Sequence, residues 1–408
     1  MTHPIALPTF RQLLTTRVLA TLSVGFYNVP LLWWVLEHTG SGSAVAALGL
    51  VGALAAMVVA PWGGVLADRG QKKNLIQRTY LLDAGLLLAG AALLGTHTLP
   101  VWGAFILVGT SDLVANLRTP ALAALLPLSV PETKYQQANA SMNLAVSVSS
   151  LASFSVAGLV TGLLGVPAAL LTGVALLALA ALSLLAFREP PSAPSQNAAQ
   201  PATRSFREGL GYVMASPLLL SLVGVAMLLN LIMTPLAVLL APYAKALALG
   251  AAHYGLLNAA NVAGELLGFG LLNFVRLRAP IPALFLGTCV MASAAFGLGL
   301  APNLALAMAS LALFGATAAS MNTLLFSLAQ SAIPAAMMGR VLGVVQAMAM
   351  GLQPLGYALT GLLLQVMSVR QIFVGMALLL ALASFAWLRR PVREGVQPEA
   401  PRLELGRS

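Results

Sequence analysis

Apolar residues dominate this chain in twelve long runs, which short polar stretches separate. Each run has 19–28 residues, and an α-helix needs about 20 to cross a bilayer. The pattern therefore predicts an all-α membrane protein with little chain left over for a soluble domain. We expect the transmembrane helices over residues 13–36, 44–67, 75–95, 100–126, 137–164, 168–187, 217–241, 250–274, 281–300, 303–328, 339–366 and 370–388.

One longer polar stretch, REPPSAPSQNAAQPATRSFRE, divides the runs into six and six. It is rich in Pro, Ser, Gln and Ala, a composition that cannot bury a core and is typical of a solvated linker. The chain therefore divides into a first six-helix bundle over 1–187, a cytoplasmic linker over 188–208, a second bundle over 209–390 and a polar tail over 391–408.

The two halves share a weak repeat. Pro131 and Gly158 of the first half recur as Pro334 and Gly361 in the second, each 203 residues later. Parallel six-helix repeats around a site at the membrane midplane are a recurring transporter architecture. The repeat favours two pseudo-symmetric bundles, although chance coincidence of common helix-end residues is the alternative.

Composition and charge exclude a soluble fold and indicate the topology. Only 8% of residues are charged and 59% are hydrophobic, whereas a soluble domain carries about 25% charged residues. Of the 21 Lys and Arg residues, 18 fall on the side of the membrane that holds both termini. Basic loops stay in the cytoplasm during insertion, so we expect both termini there, in a multi-pass protein of the plasma membrane. The net charge of +10 then reflects topology and lipid contacts, not nucleic acid.

The loop after the second run reads GVLADRGQKK over residues 64–73. It resembles the loop 2–3 signature of the major facilitator superfamily, roughly G-x-L-A-D-R-x-G-R-K. The resemblance implies the twelve-helix fold of that superfamily. It also implies a cytoplasmic latch in which Asp68 reaches the eleventh run near Met338–Val341. The latch residues would be Gly64, Asp68, Arg69, Lys72 and Lys73; an ordinary charged turn is the alternative.

Further stretches resemble a narrower branch, the macrolide-efflux-like drug:proton antiporters, which include siderophore exporters. They are TPALAALLP at 119–127 with Gln137-Ala138-Asn139, and Gly339-Arg340-Val341 with QPLG at 353–356. This resemblance implies export of amphipathic, drug-like molecules by proton antiport with rocker-switch alternating access.

Four charged residues fall well inside the predicted helices, away from their ends, where each is a functional candidate because charge in hydrocarbon is unfavourable. They are Asp83, Asp112, Arg118 and Glu265. Asp83 and Arg118 lie at matching depths, about 12 and 13 Å from the cytoplasmic ends of their helices at 1.5 Å per residue. We expect an intramembrane ion pair, which either neutralises the two charges or opens as a gate.

Asp112 and Glu265 are the proton-coupling candidates. Asp112 shares a helix face with Asn116 and Thr119. Glu265 belongs to a polar stripe of Tyr254, Asn258, Asn261, Glu265 and Gly268. Such faces need protein or a wet cavity beside them. The alternative is that polar neighbours simply satisfy each acid. The residues expected to line a central cavity are Asn28, Asn116, Asn139, Asn143, Asn230, Asn258, Asn261, Gln346, Gln353 and Tyr357.

This mostly neutral lining suits amphipathic ligands better than phosphorylated ones, which need Arg or Lys. The sequence has no phosphate-binding loop, no H-E-x-x-H motif and one cysteine, Cys289, so we expect no enzyme activity, cofactor or metal. The prediction is a monomeric exporter whose partners are a small-molecule substrate, protons and the lipid bilayer. The alternatives are a siderophore or metabolite exporter, a proton-linked importer and, from another class, a non-transporting scaffold or sensor.

Overall fold

A computed structural model describes residues 7–69, 72–185, 187, 202–274, 280–334 and 337–388. Across these residues the regular secondary structure is helical, without a β-strand. The first half contains α1 (Pro8–Thr39), α2 (Gly42–Arg69), α3 (Lys72–Gly95), α4 (Val101–Ser129) and α5 (Tyr135–Ser183).

Helix α5 contains two spans, because the chain turns at Gly165. This residue has φ 84° and ψ 171°, a conformation that essentially only glycine adopts. Pro167 follows and begins the sixth span, for which its fixed φ is well suited. The fifth and sixth predicted helices therefore lie on either side of Gly165.

The second half contains α6 (Ala202–Ala215), α7 (Pro217–Met233), α8 (Pro235–Ala246), α9 (Ala251–Phe274), α10 (Pro280–Leu300), α11 (Leu304–Ser331), α12 (Met338–Met350), α13 (Gln353–Val366) and α14 (Val369–Ser384). The seventh span is interrupted at Thr234, between α7 and α8, and the eleventh between α12 and α13. Pro235 and Pro354 stand at the starts of the second segments, since proline cannot donate to the preceding turn. The apolar pattern predicted each of these spans as one continuous helix.

By length and hydropathy, nine stretches of the described chain qualify as membrane spans. One of them, 137–183, holds the two spans that Gly165 separates. Helices α4 and α9 are not among the nine. Each is a long, mostly apolar helix with charged or polar residues inside it, Asp112 in α4 and Glu265 in α9 among them. Together these make twelve spans, and the prediction of two six-helix bundles in an all-α membrane protein is confirmed.

The predicted linker differs from the structure at its end. Helix α6 begins at Ala202, so residues 202–208 are helical, while 188–201 and the tail 391–408 lie outside the described residues. One face of α6 buries Val213 against the start of α12. Tyr212 Oη donates to Ala332 O over 3.1 Å, and Arg340 pairs with Glu208 over 2.8 Å. Val213 and the partly buried Tyr212 of this face follow shortly after the polar stretch, where the sequence pattern predicted no helix.

The two halves meet at one end of the molecule. Helices α8 and α13 pack against α2, and the later part of the fifth span packs against the start of α9. We call this the closed end; it carries the connections at residues 40–41, 96–100, 247–250 and 367–368. The other end carries Lys72, Lys73, Lys134 and Arg340 at its loops, and we call it the basic end.

Candidate functional site

A cavity with two lobes lies between the halves. Gln353 and Tyr357 of α13 and Ala237 of α8 line both lobes. One lobe, of about 260 Å³, reaches Asp112. The other, of about 420 Å³, reaches Glu265. Helices α8 and α13 begin at the two helix interruptions. Ala237, Gln353 and Tyr357 therefore stand near the middle of their membrane spans, beside the cavity.

The Asp112 lobe is built mainly from the first half, whose helices hold the carboxylate firmly. Tyr27 Oη donates to Asp112 Oδ1 over 3.0 Å, from a side chain that is buried. Asp112 Oδ2 lies against Gly52 of α2, where any β-carbon would collide with it. Asn116 Nδ2 donates to the main-chain oxygen of Asp112 over 2.8 Å, and Asn28 completes the polar wall.

The Glu265 lobe is built mainly from the second half. Asn261 Nδ2 donates to Glu265 Oε1 over 3.0 Å. Asn261 Oδ1 is buried and has no hydrogen-bond partner among the described residues, and a β-carbon at Gly315 would stand 3.2 Å from it. Phe154 and Phe314 add aromatic walls on two sides.

The interruption of the seventh span also faces the Glu265 lobe. Thr234 Oγ1 and Thr234 N both donate to Asn230 O, over 2.6 and 2.9 Å, so the helix end is satisfied internally. Asn230 Nδ2 donates in turn to Ala226 O. The two side chains therefore line the cavity without strain in the backbone.

Most of the predicted cavity residues are brought together. Those that line one or both lobes are Asn28, Asn116, Asn230, Asn258, Asn261, Gln353 and Tyr357. Asn139, Asn143 and Gln346 are exposed and line neither lobe, since they stand nearer the basic end of their spans. A role for these three in ligand binding stays a prediction.

Asp83 and Arg118 form an ion pair with 3.0 Å between Oδ2 and Nη1. Both side chains are buried, and the Arg118 guanidinium also stands over the Tyr80 ring, 4.9 Å from its centroid. Neither residue is among those that line the two lobes. Whether the pair opens during transport stays a prediction.

The latch residues are described only in part. Gly64, Asp68 and Arg69 belong to α2, but their side chains lie outside the described residues. Lys73 Nζ donates to the main-chain oxygens of Leu185 and Phe187, over 2.9 and 2.7 Å. This contact ties α3 to the end of the sixth span within the first half. A latch between the halves stays a prediction.

Several contacts at the site escaped the sequence reasoning. Tyr27 stands in an apolar run, and nothing local shows that it faces Asp112, 85 positions away. At the closed end, the rings of Trp33 and Tyr254 stack with centroids 6.2 Å apart, and Lys245 Nζ donates to Leu36 O over 3.5 Å. The helix interruptions did leave a signal, namely Pro235 and Pro354.

Solved structures of membrane transporters share this architecture. One is a bacterial homologue of the human lysosomal transporter Spinster in an inward-facing, unoccupied conformation, with a TM-score of 0.71 and 16% identity over 96% of this chain and 99% of that one. Another is a bacterial homologue of the iron transporter ferroportin in an inward-facing state, with a TM-score of 0.70 and 15% identity over 94% and 99%. At these identities the likeness concerns the fold.

Sequence comparison is more specific. The chain is 30% identical over 379 residues to the enterobactin exporter EntS of Escherichia coli (strain SMS-3-5 / SECEC) and, equally, of Shigella boydii serotype 18; the alignments cover 87% of this chain and 85% of each relative. The family model of the Major Facilitator Superfamily matches residues 13–353. Because this match runs through both six-helix halves and the cavity between them, the chain belongs to the major facilitator superfamily.

Proposed function

We propose that this membrane transporter exports amphipathic small molecules in exchange for protons, by rocking of its two halves about the cavity. The observation that carries the proposal is the cavity itself, which lies between the halves and has one carboxyl group in each lobe. Two rigid bundles around a midplane site are the structural basis of alternating access.

The chemistry of the lining supports an amphipathic cargo. Apolar side chains and neutral amides form most of the walls, with Phe154, Phe314 and Tyr357 as aromatic surfaces. Among the described lining residues there is no Lys, Arg or His, so a phosphorylated substrate would find no counter-charge there.

The packing of the halves supports an inward-facing conformation. Contacts between them are concentrated at the closed end, and two similar solved structures are described as inward-facing. The positive-inside rule places the basic end in the cytoplasm. Outward opening would then separate the closed-end contacts, the Trp33–Tyr254 stack included.

A siderophore exporter of the same fold is the second candidate. The observation that favours it is the 30% identity to proteins named as enterobactin exporters, over most of both chains. Both candidates use the same cavity and differ in the cargo that it accepts.

Transport in proteoliposomes tests the proposal. We expect an imposed pH gradient to drive rhodamine 6G, a cationic amphipathic dye, opposite to the proton flow, and a protonophore to abolish the movement. Empty liposomes are the control for passive leakage. Movement of enterobactin but not of dye would favour the second candidate, and movement of the dye along with protons would indicate an importer. No movement of either compound would contradict both proposals and favour a scaffold or sensor.

A further inference from the structure

The two carboxyl groups of the cavity have different surroundings. At Asp112, Oδ1 accepts a hydrogen bond from Tyr27 and Oδ2 is pressed against the backbone at Gly52. The lobe in front of it is the smaller one, about 260 Å³. A ligand group that approached this carboxylate would have to displace Tyr27 or α2, whereas a proton needs no additional volume.

Glu265 is accessible by comparison. Its Oε1 accepts a hydrogen bond from Asn261, and within the described part of the chain Oε2 accepts none. The lobe is the larger one, about 420 Å³, and Phe154 and Phe314 border it. A free carboxylate oxygen beside aromatic rings is suited to a cationic or hydrogen-bond-donating group on an amphipathic ligand.

The position of Asp112 also connects it to the packing between the halves. Its carboxylate touches α1 through Tyr27 and α2 through Gly52, and α2 is the helix on which α8 and α13 of the other half pack. A change of charge at this carboxylate therefore acts on helices that must move when the closed end opens. The hydrogen bond that the Glu265 carboxylate accepts comes from its own helix, from Asn261, and the described residues give it no such bond to a second helix.

Few other groups around Asp112 can exchange a proton. Those that face it or act on it electrostatically are Tyr27 on α1, Tyr357 on α13 and the Asp83–Arg118 pair on α3 and α4. The ion pair is mutually neutralised. Helices α2 and α8 contribute only glycines, Gly49 and Gly52, and apolar side chains such as Val238 to this lobe.

We infer that the two acids divide the work: Asp112 carries the coupling proton, and Glu265 binds the polar or cationic group of the substrate. The inference rests on the proposed antiport. In one cycle the Asp112 carboxylate takes up one proton on the outer side and releases it on the inner side. The substrate occupies the Glu265 lobe in the opposite half of the cycle, and no covalent bond other than the acid's O–H changes.

Two isosteric variants, Asp112→Asn and Glu265→Gln, separate the two tasks. Purified protein is titrated with rhodamine 6G by fluorescence anisotropy, and proteoliposomes are assayed for dye exchange without a pH gradient and for dye movement with one. Glu265→Gln should raise the dye Kd about tenfold or more. Asp112→Asn should keep the Kd within about twofold and retain exchange, but lose movement driven by the gradient. Glu208→Gln, which alters a carboxyl group outside the cavity, is the matched control and should resemble the wild type in all three assays.

A second variant keeps the proposal testable if Asp112→Asn misfolds. If Asp112→Asn does not yield folded protein, Tyr27→Phe removes the donor to Asp112 and should shift the pH profile of gradient-driven transport while leaving the dye Kd unchanged. Loss of dye binding in Asp112→Asn or Tyr27→Phe, or unchanged binding in Glu265→Gln, would overturn the division of tasks. Wild-type protein that neither binds nor moves the dye would instead overturn the proposed function, and the division with it.

Discussion

Gly158 of the fifth span and Gly255 of the eighth touch through their backbones where the two halves meet. A β-carbon added to Gly158 would stand 2.6 Å from the Cα atom of Gly255, closer than the non-bonded contacts that β-carbons make in proteins. Gly361, which follows Gly158 by 203 residues, lies at the crossing of α13 with α2, where its β-carbon would stand 3.5 Å from Ala46 Cβ. The weak repeat of the sequence thus coincides with the two helix crossings that join the halves at the closed end.

The first prediction concerns the close approach at Gly158. Gly158→Ala should push the fifth and eighth spans apart and slow dye transport about tenfold, equivalent to about 1.4 kcal/mol. Helix propensity cannot cause this loss, since Ala is more favourable than Gly in a helix by about 1 kcal/mol. Initial rates in proteoliposomes measure the effect. Gly224→Ala is the control, because a β-carbon there meets no atom within 4 Å. Equal rates for both variants would show that the crossing tolerates separation.

A disulfide across the second crossing should lock the closed end. The β-carbon distance of 3.5 Å between positions 46 and 361 lies at the short end of the range for a disulfide, about 3.5–4.5 Å. Cys289 is the chain's single cysteine, so Cys289→Ser gives a clean background. In that background, Ala46→Cys with Gly361→Cys should lose transport on oxidation and regain it on reduction.

Two comparisons decide the outcome of the cross-linking experiment. The single-cysteine variants should transport equally well before and after oxidation. Transport that continues in fully cross-linked protein would mean that the closed end need not open, and would contradict the rocking mechanism.

The Asp83–Arg118 pair should behave as a coupled unit in folding. Removing one partner leaves a buried charge uncompensated, which typically destabilises a protein by about 3–5 kcal/mol. We therefore expect Asp83→Asn and Arg118→Gln each to lower the melting temperature in detergent. The double variant should melt above the less stable single variant. Strictly additive losses would show that the two charges do not stabilise one another, despite the 3.0 Å contact.

The proposed orientation in the membrane can be tested with reporters. Tags at the N-terminus, at the C-terminus and within residues 188–201 should all report a cytoplasmic location, because the basic loops belong on that side. A tag in the connection at residues 247–250 is the control and should report the outer side. If the tag within 188–201 were found opposite the termini, the assignment of six spans to each half would be contradicted.

Part of the site was accessible from local sequence patterns. Asp83 and Arg118 were expected to pair because equal depth on adjacent antiparallel helices follows from the helical rise alone. The stripe that contains Asn258, Asn261 and Glu265 was expected to face a cavity because hydrocarbon excludes such a face. Asn139, by the same argument, was expected in the lining; it is exposed and lines neither lobe, and its role stays a prediction. Helical periodicity identifies a polar face but does not tell a cavity from a neighbouring surface.

The sequence by itself determined the class of protein, the number of spans and the two-half organisation. The reason is that the free energy of transfer from water into lipid is a sum over the residues of each apolar run of about 20 residues or more. Only the tertiary structure decided that Tyr27 holds Asp112, that Gly52 makes room for it, and that Gln353 and Tyr357 join the two lobes. These contacts join residues far apart in the chain. They depend on the rotation and interruption of whole helices, which neither hydropathy nor local propensity specifies.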